Sequence, residues 1–508
     1  MAGRIYLYNL PVELLHMILD HLSIDDMLNL IEDPNFPVGV IRRHNIDNDG
    51  LGGNILHSIA RVGWTHIPQI KKLIQILGDW DTLHSFHNLT PLGLAARNKH
   101  YELCRSFIEA GADVNPPKGT SPLWIATSQP GNNAVIALLV KHGADVSWKD
   151  PSGIPIIFSA AQHANADTVN LLIQSGADAS AVLPSGNTLS RVRDPAVAKL
   201  LVDHGADVNA VYTPFQVTPL MVAVTRGNSG LVDFFLDAGA EVDYCNNQWS
   251  SALTRAIIGK HTGIVRKLIL AGCEFNKSLR DRMDPPLLLA LEKGSEDIVR
   301  LLLKEGVDVI TPRNNRGETA LCVAARHKSP SLCQQLIAAG AEINAKDKKG
   351  RTPLMIAIYA QDEETTKLLL DAGADVSLVE NDGTHPTLVL SAGSSIALKD
   401  IVKYFTEYGI EWLDRHVIDS EEHDENLDSN ISMLKLLLSH GTDISKANYK
   451  GIGILHIAAS RDDDDLVKLL LEHGADASYK DPSGNTPAAW AALMHSYGIE
   501  DLLREAEA

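Results

Sequence analysis

Thirteen glycines recur at a near-constant interval and restrict this chain to one kind of architecture. The tripeptide "GAD" stands at Gly111, Gly143, Gly176, Gly205, Gly373 and Gly474. Variants fill the gaps at Gly239 ("GAE"), Gly272 ("GCE"), Gly306 ("GVD"), Gly340 ("GAE"), Gly409 ("GIE") and Gly441 ("GTD"), with a weaker mark at Gly78 ("GDW"). Consecutive marks lie 29 to 36 residues apart. Such a period means one supersecondary unit repeated many times, each copy packing on its neighbours. The three or four separate domains that a chain of 508 residues would otherwise suggest do not apply.

The segment "KDKKGRTPLMIAIYAQDEETTKLLLDAGADVS" shows the grammar of one unit. Thr352-Pro353 opens a helix, with Thr as its cap and Pro at its first position. Leu354, Ile356, Ala357 and Ile358 give that helix an apolar face, and Gln361 to Glu363 form a polar turn. A second helix carries Leu368, Leu369 and Leu370, and Gly373 ends it in the left-handed conformation that glycine adopts most cheaply. Two antiparallel helices and an extended turn, with this T-P-L and G-A-D pattern, resemble the ankyrin repeat. The resemblance implies an all-α solenoid of about thirteen repeats over residues 48–508, closed by the half-repeat "GNTPAAWAALMHSYGIEDLLREAEA". Asp501, Arg504, Glu505 and Glu507 give that half-repeat the polar face a cap needs.

Three units depart from the pattern. The unit ending at Gly205 is about four residues short and has "SRVRDPAVAKLL" where its first helix is expected. The unit ending at Gly409 has an altered first helix and turn, "THPTLVLSAGSSIALKD". The following one lacks its first helix: residues 411–430 hold eight acids and one Arg, an acidic loop in place of a helix. The expected organisation is a helical segment over 1–47, repeats over 48–410, the loop over 411–430, and repeats with the cap over 431–508.

Chemistry is hard to find. Loops of the G-x-x-x-x-G-K-[ST] or G-x-G-x-x-G kind, H-E-x-x-H and G-x-S-x-G are all missing. Cys104, Cys245, Cys273, Cys322 and Cys333 are scattered and odd in number, which points to reduced thiols and not to a disulfide framework or zinc site. His142, His204, His440 and His473 each precede a marking glycine, where a helix C-terminus favours a cation. His57 and His456 share a slot after "IL" that the ankyrin family often fills with His, bonding turn to turn. The "DDDD" run at Asp462–Asp465 suits a helix start better than a metal site. No enzyme activity, metal or cofactor is expected. The net charge of −19 repels nucleic acid and anionic membrane, and no run of residues suits a membrane span. A protein of the cytoplasm or nucleus, monomeric on its own, is expected.

In the ankyrin family the turns between repeats project as fingers and, with the first helices, line a concave surface. Here the fingers carry large rings, Trp148, Tyr212, Phe215, Tyr244 and Trp249, and then a run of bases. The bases are Arg280 and Arg282, then Arg313 and Arg316, then Lys346, Lys348, Lys349 and Arg351. An aromatic stretch beside a basic one suits a protein partner with apolar anchors and acidic residues. The competing reading is that the rings fold back onto neighbouring turns.

The N-terminal segment shares none of this repetition. Pro11 begins a helix with an apolar face of Leu14, Leu15, Ile18, Leu19 and Leu22. Ser23 and Asp26 have the spacing of a capping box for a second helix. "LPVELLHMILDHLSIDDMLNL" resembles the F-box, matching at Leu10, Pro11, Glu13, Leu14, Leu15, Ile18, Leu19, Leu22, Asp26 and Leu30. The family's third helix has no clear counterpart in "PNFPVGVIRRHNIDNDG". The resemblance implies that this segment docks on the adaptor subunit of an SCF-type cullin-RING ubiquitin ligase while the repeats hold a substrate. The alternatives are a helical cap on the first repeat, and an ankyrin interaction scaffold without any ligase link.

Overall fold

The computed structural model describes residues 55–63, 88–183, 186–211, 215–248, 250–276, 284–381, 427–444, 451–460 and 463–508, together with Asp26 and Leu30. Asp26 and Leu30 are helical. The other residues of the F-box-like segment, Leu10 to Leu22 included, lie outside the described residues. The chain divides into two units, Met1–Gln248 and Trp249–Ala508.

The first unit begins with α1 (Ile55–Val62) and continues as helix pairs: α2 (Pro91–Arg97) with α3 (Tyr101–Glu109), α4 (Pro122–Thr127) with α5 (Asn133–Lys141), and α6 (Ile156–His163) with α7 (Ala166–Gln174). In the next repeat a two-residue hairpin, β1 (Val182–Leu183) antiparallel to β2 (Gly186–Asn187), and a 3-10 turn at Thr188–Ser190 replace the first helix. This is the unit whose sequence is short. Its turn packs between α6 and α9 (Pro219–Thr225), so it fills the place of the missing helix, and α8 (Pro195–Asp203) follows it. Arg226 and Asn228 brace the gap by donating to the carbonyls of Val192 (3.0 Å) and Arg193 (2.8 Å). The last helix of this unit is α10 (Ser229–Asp237).

The second unit holds α11 (Ala252–Ile258) with α12 (Thr262–Leu270), α13 (Pro286–Glu292) with α14 (Glu296–Lys304), α15 (Ala320–Arg326) with α16 (Pro330–Ala338), and α17 (Pro353–Tyr359) with α18 (Glu363–Asp371). Then come α19 (Leu427–Ser439), α20 (Ile454–Ala459) with α21 (Asp464–Glu472), and α22 (Pro487–Leu493) with α23 (Tyr497–Glu507). All described regular structure except the short hairpin is thus helical.

Local chemistry explains each element. The Thr352 hydroxyl accepts from the Met355 amide at 3.3 Å, so α17 starts where Thr-Pro predicts. Pro353 to Ile358 are buried on every side, whereas α18 buries one face, Thr365, Thr366, Leu369 and Leu370. A short helix apolar all round must be an inner layer, and one with a single apolar stripe an outer layer. Asp463 to Asp465 of the "DDDD" run start a helix, with Asp463 accepting from the Leu466 amide at 2.9 Å. His204, His440 and His473 each donate from Nδ1 to the carbonyl four residues back, at 2.8 to 2.9 Å, which seals the helix end. All five cysteines are free thiols. Cys104, Cys273, Cys322 and Cys333 are buried in the core, and burial pushes the Cys104 and Cys333 thiols up to about 12.

Two expectations change. Ser432 donates to Glu363 at 2.9 Å, and His440 lies 3.6 Å from Asp371, so α19 packs directly on α18. These partners are 69 residues apart in sequence, two periods instead of one. The repeat expected to end at Gly409 lies outside the described residues. Residues 427–430, placed in the acidic loop, belong to α19, and 411–426 lie outside the described residues. The C-terminal cap is a complete helix pair and not a half-repeat: Trp490, Ile499 and Leu503 are buried, while Asp501, Arg504, Glu505 and Glu507 are exposed.

The joints between repeats are polar. His57 Nε2 bonds the Leu89 carbonyl at 3.2 Å, and His456 Nε2 bonds that of Asn485 at 3.1 Å. His456 is wholly buried, edge-on to Trp490 and Tyr479, and burial pushes its imidazole below the ordinary value although the bond to Asn485 opposes this. The folded chain therefore holds fewer protons at this site than the unfolded chain once the pH falls below about 6.5. Unfolding midpoints in urea should fall as pH drops from about 7 to 5, and His456→Gln should flatten that slope. A slope unchanged by the substitution would assign it to other histidines.

Candidate protein-binding surface of the stacked fingers

Each finger is a turn closed on its own first residue. Asp347 Oδ1 accepts from the amides of Lys349 (2.8 Å) and Arg351 (2.9 Å), and Asn314 Oδ1 does the same for Arg316 and Glu318, both at 2.9 Å. Successive fingers then join through the backbone: Lys348 N donates to Arg316 O at 3.0 Å, and Asn381 N to Lys349 O at 2.9 Å. The finger glycines make this approach possible. A Cβ at Gly350 would stand 2.7 Å from Asn381 N, and one at Gly317 2.9 Å from Lys348 N.

This frame separates the expected basic residues into two groups. Arg316, Lys348 and Lys349 are exposed, and among the described residues no hydrogen bond or ion pair engages their side chains. Lys346 is exposed and reaches the Val379 carbonyl at 3.3 Å. Arg313 donates to the carbonyls of Ile310 and Pro312 and lies 3.9 Å from Glu342. Arg351 is turned inward, 2.7 Å from Asp347 and 4.0 Å from Glu318. Arg280 and Arg282 lie outside the described residues.

The aromatic residues do not form one group. Trp148 is half-buried against Trp124, ring centroids 5.6 Å apart, so it folds back onto the first helix of the preceding repeat. Tyr479 meets His456 in the same way. Phe215 is 52% exposed, and Tyr244 is half-buried. Tyr212 and Trp249 lie outside the described residues.

Beneath the basic fingers lies a set of charged and polar groups of which sequence reading named only Arg351. Asp284, Glu318 and Arg351 each precede the N-cap of a first helix, and Glu292, Arg326 and Tyr359 each end one. Arg326 bonds Glu292 and, at 3.3 Å, Glu318; His327 Nε2 lies 3.3 Å from Glu292; and the Tyr359 hydroxyl bonds Glu380. Glu318 is wholly buried: Oε2 takes Asn314 Nδ2 at 2.6 Å, while Oε1 has no hydrogen-bond donor. Burial works against the Glu292 carboxylate, but the bonds from Arg326 and His327 hold its carboxyl below the ordinary range. At Asp284 burial, with Glu292 and Glu318 adding to it, raises the carboxyl. Alignment on the helix caps would have found these positions, since the residue before the cap is uncharged in every other described α-helix pair. Among the described residues no group of His, Cys, Asp and Glu is arranged to hold a metal ion.

A family model for ankyrin repeats in sets of three copies matches residues 92–182, 189–279, 260–347, 322–415 and 425–508. The chain belongs to the ankyrin-repeat family. Its ankyrin repeats are 37% identical to palmitoyltransferase ZDHHC13 of Homo sapiens, over 36% of this chain and 30% of that protein. They are 34% identical to B-cell lymphoma 3 protein of Homo sapiens, over 26% of this chain and 30% of that one. Alpha-latrocrustotoxin-Lt1a of Latrodectus tredecimguttatus is 29% identical over 28% of this chain and 11% of the toxin. The chain thus spans between a tenth and a third of these relatives. Relatives with such different names share the repeat frame.

Arg326 is the joint on which the buried charges depend. Removing one partner of a buried pair strands the other, at a cost of about 3 kcal/mol. Arg326→Met should lower the unfolding midpoint by far more than Lys348→Ala, which should stay within about 0.5 kcal/mol of wild type. Equal midpoints for the two variants in urea denaturation would contradict this placement.

Proposed function

We propose that this ankyrin-repeat chain is a protein-interaction scaffold whose basic fingers hold an acidic segment of a partner. The observation that carries the reading is the set Arg316, Lys348 and Lys349, exposed and unengaged on two joined fingers of a chain with net charge −19. Neighbouring bases are spent on internal contacts, and these three are not. The reading carries with it a chain that is not an enzyme, needs no cofactor, and acts as a monomer in the cytoplasm or nucleus. A synthetic peptide with a run of Glu and Asp, titrated by fluorescence anisotropy, should bind with strong salt dependence. Arg316→Glu, Lys348→Glu and Lys349→Glu together should weaken it at least about tenfold, or ~1.4 kcal/mol. Equal affinity for wild type and triple variant would refute the finger reading.

A finer reading rests on the N-terminal likeness to the F-box. In it the Leu10–Leu22 segment docks on the adaptor subunit of a ubiquitin ligase and the fingers hold the substrate. The chain would then act by proximity, raising the effective concentration of substrate at the ligase. Purified adaptor should be pulled down by wild type and not by Leu14→Asp/Leu15→Asp, with helical content unchanged by circular dichroism. Failure of wild type to bind leaves the scaffold without a ligase link.

A further inference from the structure

In the second unit the turns from inner to outer helix stand at the end of each inner helix away from its finger. Every residue of the turns after α11, α13 and α15 is described, and each turn carries one exposed lysine: Lys260, Lys293 and Lys328. Among the described residues no hydrogen bond or ion pair engages these three side chains. The acids close by already have partners. Arg300 lies 2.9 Å from Glu296 and 3.8 Å from Asp297, and Glu292 is bonded by Arg326 and His327. The lysines form an unbalanced row, which ends after α17 at Gln361, Asp362, Glu363 and Glu364. Packing does not ask for lysine here. Lys260 and Lys328 stand at φ of +55° and +53°, a backbone that glycine adopts at less cost, and Gly294 takes it at +61° in the turn between. Helices α12 and α16, which follow the two lysines, begin without a side-chain cap or an acid in the first turn, so their dipoles add to the positive potential. Asp362, by contrast, caps α18, accepting from the Thr365 amide at 3.3 Å.

We propose that this turn edge is a second docking surface, which holds an extended acidic segment of a protein partner with its carboxylates set against Lys260, Lys293 and Lys328 in turn. Neighbouring inner helices pack about 8–10 Å apart. A segment in the polyproline II conformation rises about 3.1 Å per residue with about three residues per turn, so every third side chain falls on one face about 9 Å further on. Carboxylates at that spacing reach successive lysines, and uncharged residues pass Glu292, Glu296 and Asp297 between them. A phosphate backbone, charged at every step, would meet those three acids in the middle of the row, and the net charge of −19 opposes it as well. Ile258, 48% exposed and two residues before Lys260, offers the segment an apolar contact. The surface is separate from the fingers and does not rest on them, since a seven-residue inner helix, about 10 Å long, lies between the two edges of each repeat.

Two peptides of equal composition test this, one with Glu at every third position of a Pro-Ala background and one with the same Glu residues adjacent. Single-stranded oligothymidine serves as the competing polyanion. By fluorescence anisotropy at low salt the spaced peptide should bind wild type about tenfold tighter than the clustered one. Lys260→Gly, Lys293→Ala and Lys328→Gly together should remove that preference. The unfolding midpoint in urea should not fall in this variant, because glycine suits the left-handed positions. Lys260→Arg, Lys293→Arg and Lys328→Arg together should keep the preference. Equal binding of the two peptides, or a preference that survives loss of the three lysines, overturns the proposal. So does oligothymidine that binds tighter than the spaced peptide and is lost with the same lysines, which would make this a surface for nucleic acid. Reversal of Arg316, Lys348 and Lys349 keeps the two surfaces apart. The preference should survive it, and a preference lost there but kept without the turn lysines would place the peptide on the fingers and overturn the second surface.

Discussion

The inner helices of this chain are apolar on every side, and a single partner helix can cover only one of those sides. Pro353 to Ile358 are all buried, although α18 presents just one apolar stripe to them. Another face is covered by α15, the inner helix of the preceding repeat, so no repeat is stable as an isolated pair and the stack is the unit of folding. Where the first helix is missing, something must still occupy its place. The 3-10 turn at Thr188–Ser190, with all three residues buried, does this between α6 and α9. In the same stack α19 packs on α18 through partners 69 residues apart in the chain.

Stacking also decides which charges are free. Finger joins to finger through backbone bonds that need glycine, so the side chains on each finger are sorted by position alone. The residue just before the N-cap points inward, where Glu318 is wholly buried and Arg351 lies against Asp347. The residues at the tip point outward, which leaves Lys348 and Lys349 in solvent. Burying Glu318 costs free energy that its pairs with Arg326 and Arg351 offset only in part, since Oε1 lacks a donor. An apolar residue there, as in Ile154 or Ile452 of other repeats, would be the simpler choice for stability alone. The charged floor is thus a departure confined to the repeats that carry the free bases.

Much of the frame was legible in the sequence because it rests on residues with one physical role. Thr352-Pro353 can hardly be anything but a helix start, Gly373 stands at a φ of +90°, and His57 and His456 bond the next turn. The packing of α19 on α18 was not, because its partners Ser432 and Glu363 lie 69 residues apart and no motif marks that contact. The site was legible by half. Lys349 and Arg351 are both bases two residues apart, and nothing in their identity says that one is free and the other paired. That difference is set by Asp347 and Glu318, which matter only once the repeats are laid side by side.

Kinship within the family carries the same division. Caps, glycines and inner apolar positions are fixed by packing, and a toxin, a palmitoyltransferase and B-cell lymphoma 3 protein are 29 to 37% identical to this chain over part of their length. Finger tips are in solvent and packing does not constrain them, so identity of about a third leaves them open to differ. A partner is therefore read from residues that the frame does not need, and Arg316, Lys348 and Lys349 meet that condition. Glu318 is wholly buried and cannot meet a partner, and Arg326, half-buried, is engaged by it and by Glu292. Substitution at the buried pair and at the exposed tips should thus part company, the first acting through stability and the second through recognition.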